Sequence, residues 1–209
     1  MNATQFRTWL GNCTGKKLGL QPGYANIQGI ASNVPNGSCQ LYIPIRVTGV
    51  HKKRFGFAIG SPYKVQISNS GLAGANGVYL PDAVNECTRV DATNSDGIVI
   101  SGRFSGCTFA LCTDGAGVLW AGHVYVDASI VGNNPTNQAR AFETACGAVA
   151  NSAIGFQTAG QVQVVHGGAH GLVIGTDVGG WQWNWVVLDG GNPHSILSVT
   201  DITTAFVAL

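Results

Sequence analysis

The sequence predicts an α+β fold dominated by strands: a β-rich sandwich of mixed sheets with flanking helices, in a single domain spanning residues 1–209. Three observations predict it. The 30 glycines follow no Gly-X-Y period and fall between short runs of β-branched and aromatic residues, the pattern of many short strands and tight turns. Apolar residues make up 45% of the chain and charged residues only 10%, so the chain must bury much of itself and cannot be a solvated disordered polymer. Helical periodicity is confined to two segments, one at the N-terminus and one after Pro135.

The elements follow in order. Ala3 to Leu10 reads as a short helix with Phe6, Trp9 and Leu10 on one face, ended by Gly11. Residues Gly15 to Ser38, rich in Gly, Asn and Pro, read as irregular. Cys39 to Val50 alternates Leu41, Ile43, Ile45 and Val47 at period two, as a half-buried strand does. Further strands are expected at Phe55–Ile59, Tyr63–Ser68, Gly77–Leu80, Cys87–Val90 and Gly97–Phe104. Thr108–Cys112 and Val118–Val126 form a hairpin around a Gly-rich turn. Pro135 to Ala150 is the clearest helix, with Asn134 as its cap and Ala139, Phe142, Cys146 and Val149 as its apolar stripe. Gln161–Val165, Gly171–Ile174, Trp181–Leu188 and Ile196–Val199 return to strands.

Charge narrows the function classes. Eleven basic and ten acidic residues give a net charge of +1, which argues against a nucleic-acid partner, since that partner selects clustered cations. The one basic cluster, His51-Lys52-Lys53-Arg54, reads as a solvated turn. No apolar run reaches membrane-spanning length. Met1 to Cys13 lacks the cationic start and apolar core of a signal peptide, so the expectation is either a cytoplasmic protein or export by a route with no cleaved signal. Six cysteines without a CxxC pair read as mostly reduced thiols. His166 and His170 have HxxxH spacing, but the two glycines between them favour a turn over a helix. No metal or cofactor is expected, and the reading is of a monomer.

One constellation carries chemistry. In Ser101-Gly102-Arg103-Phe104-Ser105-Gly106-Cys107, Gly106 lets the backbone turn sharply or approach a ligand just before a thiol. If the hairpin turn centres on Gly115, Cys107 lies directly opposite His123 and the two side chains share a face. Thiol beside imidazole is the arrangement that generates a thiolate–imidazolium nucleophile. In that register Cys107, Phe109, Leu111, Leu119, Ala121, His123 and Tyr125 line one face and Ala110, Val118, Trp120, Val124 and Val126 the other. Both are apolar, so the hairpin should be covered on both sides.

Ser105-Gly106-Cys107, a short apolar strand, a Gly-rich turn and then His123 together resemble the glutamine deamidase toxins of the cytotoxic necrotizing factor family, above all its Burkholderia lethal factor branch. That family carries a Leu-Ser-Gly-Cys motif with a downstream His. The likeness covers Ser105 to Asp127. Phe104 stands where the family has Leu, and the Cys-to-His interval is 16, slightly longer than in the family. The branch has a Thr six residues before its Cys; Ser101 holds that offset and keeps the hydroxyl.

The resemblance implies a bacterial toxin or effector that converts one glutamine of a host protein to glutamate. Cys107 would be the nucleophile, His123 the base, Ser101 the third member, and backbone N–H groups near Gly106 and Cys107 the oxyanion donors. Family substrates are small GTPases or a translation-initiation helicase, reached in the host cytoplasm. Two other classes compete. A papain-like cysteine peptidase shares the Cys-then-His order but places its Cys on a helix N-terminus. A lectin-like β-sandwich would use the indoles of Trp181, Trp183 and Trp185 as a platform.

Overall fold

A computed structural model describes residues 1–21, 38–40, 43–49, 52–54, 57–59, 63–67, 72–82, 87–104, 106–125, 135–158, 169–191 and 193–209. It is broadly α+β, mostly strands with two helices, and the mixed parallel and antiparallel pairing is as expected. The expected sandwich is replaced by a closed eight-stranded barrel with a six-stranded sheet laid against its outside.

The barrel runs β1 (Lys17–Gln21), β15 (His194–Asp201), β14 (Trp181–Leu188), β13 (His170–Asp177), β9 (Ile98–Phe104), β7 (Gly77–Leu80), β3 (Ile43–Gly49) and β6 (Tyr63–Ile67), with β6 returning to β1. β1 lies in the segment expected to be irregular. Its Lys17-Leu18-Gly19-Leu20-Gln21 run alternates only twice, too briefly to stand out among the surrounding glycines, yet it closes the barrel by pairing with β15 on one side and β6 on the other. Inward-pointing Ile45, Val65, Ile98, Ile100, Leu172, Ile174 and Val186 fill the interior.

Helix α1 (Ala3–Leu10) adds Phe6, Trp9 and Leu10 to that same core. It begins in a capping box: the Asn2 side chain accepts from Gln5 N–H at 3.0 Å, and Gln5 Oε1 accepts from Asn2 N–H at 3.2 Å.

The second sheet runs β16 (Val207–Ala208), β12 (Ile154–Gln157), β10 (Thr108–Thr113), β11 (Leu119–Val124), β8 (Cys87–Asp91) and β2 (Ser38–Gln40). One face packs on the barrel through Val90, Phe109, Leu111, Ala121 and Phe156. The other is covered by helix α2 (Pro135–Cys146), whose Phe142 and Cys146 meet Cys87, Ala110, Cys112 and Val124. The β10–β11 hairpin is therefore covered on both faces, as its two apolar faces require. α2 stops four residues short of the expected end, because Gly147 turns left-handed at φ +67°. Val149, expected on the apolar stripe, is consequently outside the helix and 70% exposed. The Asn134 cap, the 161–165 strand, His51 and His166 lie outside the described residues. Lys52–Arg54 forms β4 and pairs with β5 (Phe57–Ile59) in a separate two-stranded ladder. No helix among the described residues is long and apolar enough to cross a membrane.

The tryptophans of β14 decide how barrel and sheet meet. Trp183 and Trp185 are 2% and 3% exposed and sit in the layer between the two. Each lies over a glycine of β13: a Cβ on Gly171 would fall 1.8 Å from Trp185 Cη2, and one on Gly175 would fall 2.2 Å from Trp183 Cζ3. Substituting Gly171→Ala is thus expected to cost about 3 kcal/mol, measured by urea unfolding, since a rigid buried indole has nowhere to retreat. The same burial removes two of the three indoles a lectin-like platform would need.

Candidate active site

His123 is placed by β11 and wholly buried. On its own sheet it faces Phe109 of β10 and Thr88 of β8. Opposite it comes the barrel strand β9, whose residues alternate: Ile98 and Ile100 point into the barrel, Val99 and Ser101 out toward the sheet. Ser101 Oγ lies 3.1 Å from His123 Nδ1 and 2.9 Å from the Leu80 carbonyl of the neighbouring β7. A carbonyl can only accept, so the single hydroxyl proton goes to Leu80 O. His123 Nδ1–H must then donate to Ser101 Oγ. The ring is fixed in one tautomer, and Nε2 keeps its lone pair. That Nε2 is buried with no hydrogen-bond partner among the described residues.

Phe104 completes the clamp. Its ring stacks on the imidazole with centroids 4.0 Å apart and planes 10° from parallel. Strict alternation along β9 would have sent Phe104 into the barrel. A β-bulge intervenes: Leu172 pairs with Gly102 but Gly171 pairs with Phe104, so residue 103 is an extra one in the ladder. The bulge reverses the phase and puts Phe104 beside His123.

Cys107 immediately precedes β10, 8% exposed, in the same layer between barrel and sheet. Its carbonyl accepts from Thr158 N–H at 3.2 Å and from the Thr158 hydroxyl. The hairpin register differs from the one expected. Phe109, not Cys107, faces His123, because the turn centres on Ala116. Asp114 organises that turn by accepting from Ala116 N–H and Val118 N–H at 2.9 Å each and from Trp120 Nε1 at 3.0 Å, and the left-handed residue is Gly117, at φ +84°, not Gly115. The change moves the pairing by two residues, an even number, so Cys107 and His123 keep a common face as diagonal neighbours. Diagonal pairs stand roughly 7–8 Å apart, against 4.5–5.5 Å for direct ones. The thiol is accordingly not hydrogen-bonded to Nε2.

No family model matches this chain, and no curated protein matches it. Among solved structures, the C-terminal domain of CNFy from Yersinia pseudotuberculosis superposes on it with a TM-score of 0.36 and 9% identity, over 96% of this chain and 99% of that one. No residue correspondence follows from that likeness.

The electrostatics also differ from expectation. Burial pushes the Cys107 thiol up to about 12, helped by the Asp82 carboxylate that follows β7. Burial pulls His123 down to about 3. The resting site therefore holds a neutral thiol and a neutral imidazole in place of the expected thiolate–imidazolium pair, because its walls are apolar. Cys107 is expected to react with iodoacetamide at pH 7.5 at least about 100-fold more slowly than a solvent-exposed thiol, followed by peptide mass mapping, since only thiolate attacks.

Gly106 is exposed, avoids the left-handed region, and a Cβ on it would meet nothing, so the backbone does not demand glycine there. The structure thus unites Ser101 with His123, sets Cys107 one diagonal step away, and leaves Gly106 exposed beside Cys107. Sequence reasoning missed the Leu80 carbonyl, Asp82 and the stacking role of Phe104. Phe104 alone left a signal, as the aromatic residue within the motif. Among the described residues, Cys13, Cys87, Cys107, Cys112 and Cys146 are free thiols.

Proposed function

We propose that the chain is a cysteine-dependent protein glutamine deamidase, a bacterial toxin or effector domain that acts on a host protein. The observation that carries the reading is His123: a buried imidazole with one nitrogen committed to Ser101, the other unpartnered, and a thiol on the same face. An unpartnered buried ring nitrogen is the exception among buried polar groups, and here it lies in the layer that holds the thiol.

In the proposed reaction the substrate carboxamide enters past Gly106 and sits between the sulfur and Nε2. Moving the thiol proton to His123 is uphill in the empty apolar site, so it takes place as the polar carboxamide arrives and the sulfur attacks its carbon. A C–S bond forms, and backbone N–H groups beside Cys107 receive the negative oxygen. His123 hands the proton to the departing nitrogen, ammonia leaves, and a thioester remains. Water then adds with His123 as base, the C–S bond breaks, and glutamate and free thiol are restored. Ser101 orients the ring throughout. The near-neutral surface means a host partner, of the small-GTPase or translation-initiation-helicase class, is selected by shape and loop contacts.

The test is intact-mass analysis of such proteins after incubation with native protein and with Cys107→Ser. Deamidation adds about 1 Da, one amide becoming one acid. The reading fails if no glutamine-bearing candidate gains mass with native protein, or if the Cys107→Ser protein gives the same gain.

A further inference from the structure

A second thiol pair lies on the far face of the same strand. Cys112 of β10 and Cys146, the last residue of α2, are both buried in the core between sheet and helix, along with Cys87, Ala110 and Phe142. The two sulfurs act on each other, which separates the acidities of the two thiols. Two residues beyond each, Asp114 and Ala148 pair in an isolated bridge that pins the hairpin turn to the end of the helix. The largely exposed 147–150 turn, with Gly147 at φ +67°, follows Cys146 directly. Around Cys112 the Glu143 and Asp114 carboxylates oppose ionisation and the Arg89 guanidinium favours it.

We infer that Cys112 and Cys146 form a redox latch, a dithiol that a small hydroperoxide oxidises to an internal disulfide. Cys112 is the attacking sulfur. The neighbouring Cys146 sulfur holds the Cys112 thiol below the ordinary range, and Cys146 itself is held above it. Cys112 thiolate attacks one peroxide oxygen, the O–O bond breaks, and the departing hydroxide takes a proton to become water, leaving a sulfenic acid. The Cys146 sulfur then attacks the Cys112 sulfur. The S–O bond breaks, and the leaving hydroxide takes the Cys146 proton as a second water. Two thiols have lost two electrons and the peroxide has gained them. The resulting covalent loop runs from β10 through α2 and encloses β11, the strand that holds His123.

The experiment treats the native protein with equimolar hydrogen peroxide, blocks free thiols, and digests it without reductant. The expected result is a Cys112 peptide joined to a Cys146 peptide, lighter by about two hydrogens than the two together and separated by dithiothreitol. Oxidised protein should also melt several degrees higher. In Cys146→Ser the joined peptide disappears and Cys112 is trapped as a dimedone adduct. Recovery of both cysteines as blocked thiols after the peroxide is consumed overturns the inference, as does linkage of Cys112 to Cys87. Cys107→Ser should behave as native here, so failure of the latch and failure of the deamidase reading are told apart.

Discussion

Replacing Cys107 by Ser is expected to lower the rate of glutamine deamidation by at least about 10³-fold with no change in fold, because an alcohol beside a buried neutral imidazole is a far weaker nucleophile than a thiol. His123→Gln should lose a comparable factor. The decisive quantity is the double variant. Two residues acting in one proton transfer are grossly non-additive, so Cys107→Ser with His123→Gln should be little worse than either alone. Ser101→Ala acts through the ring and should cost less, about 10- to 100-fold, since Nδ1–H loses its acceptor and the tautomer is no longer fixed. Rates of mass gain on one substrate, measured for all four proteins, check this. Multiplicative losses for Cys107 and His123 would mean that the two do not act together.

Acid should unfold this protein through His123. Its folded-state value lies near 3, whereas an unfolded histidine protonates near 6.5. The unfolded chain therefore binds more protons between those values. The stability from keeping His123 neutral is present in full above about pH 6.5, falls as pH drops, and levels off below about 3. One proton corresponds to about 1.4 kcal/mol per pH unit, so roughly 2–3 kcal/mol should vanish between pH 6.5 and 4.5. Urea unfolding at those two pH values measures it, and His123→Gln should flatten this part of the slope. An equally steep slope in that variant would assign the acid sensitivity elsewhere.

Much of the fold was legible because its elements are locally consistent. β7, β9, β10 and β14 alternate or run apolar between glycines, and α1 carries its own cap and apolar face. Closure of the barrel was not legible, since β1 has too few residues to show a period and pairs only with distant strands. β12 and β16 were missed for the same reason. At the site, the thiol, imidazole and hydroxyl were all readable as a spacing. The shared face was right but the register was not, because Asp114 moves the turn by one residue through side-chain hydrogen bonds that composition does not reveal. Neutrality of the pair was beyond the sequence as well, being set by the apolar layer between barrel and sheet, whose residues are far apart in the chain.

The bulge at residue 103 gives β9 two allegiances. Before it, the strand divides its side chains between two cores by simple parity; after it, odd and even exchange roles. A strand that counts in twos has no other way to send both Ser101 and Phe104 toward one imidazole, because three is an odd separation. One unpaired residue therefore acts as a change of sign, and it is what allows a hydroxyl and an aromatic ring from a single strand to hold the same histidine at its edge and on its face.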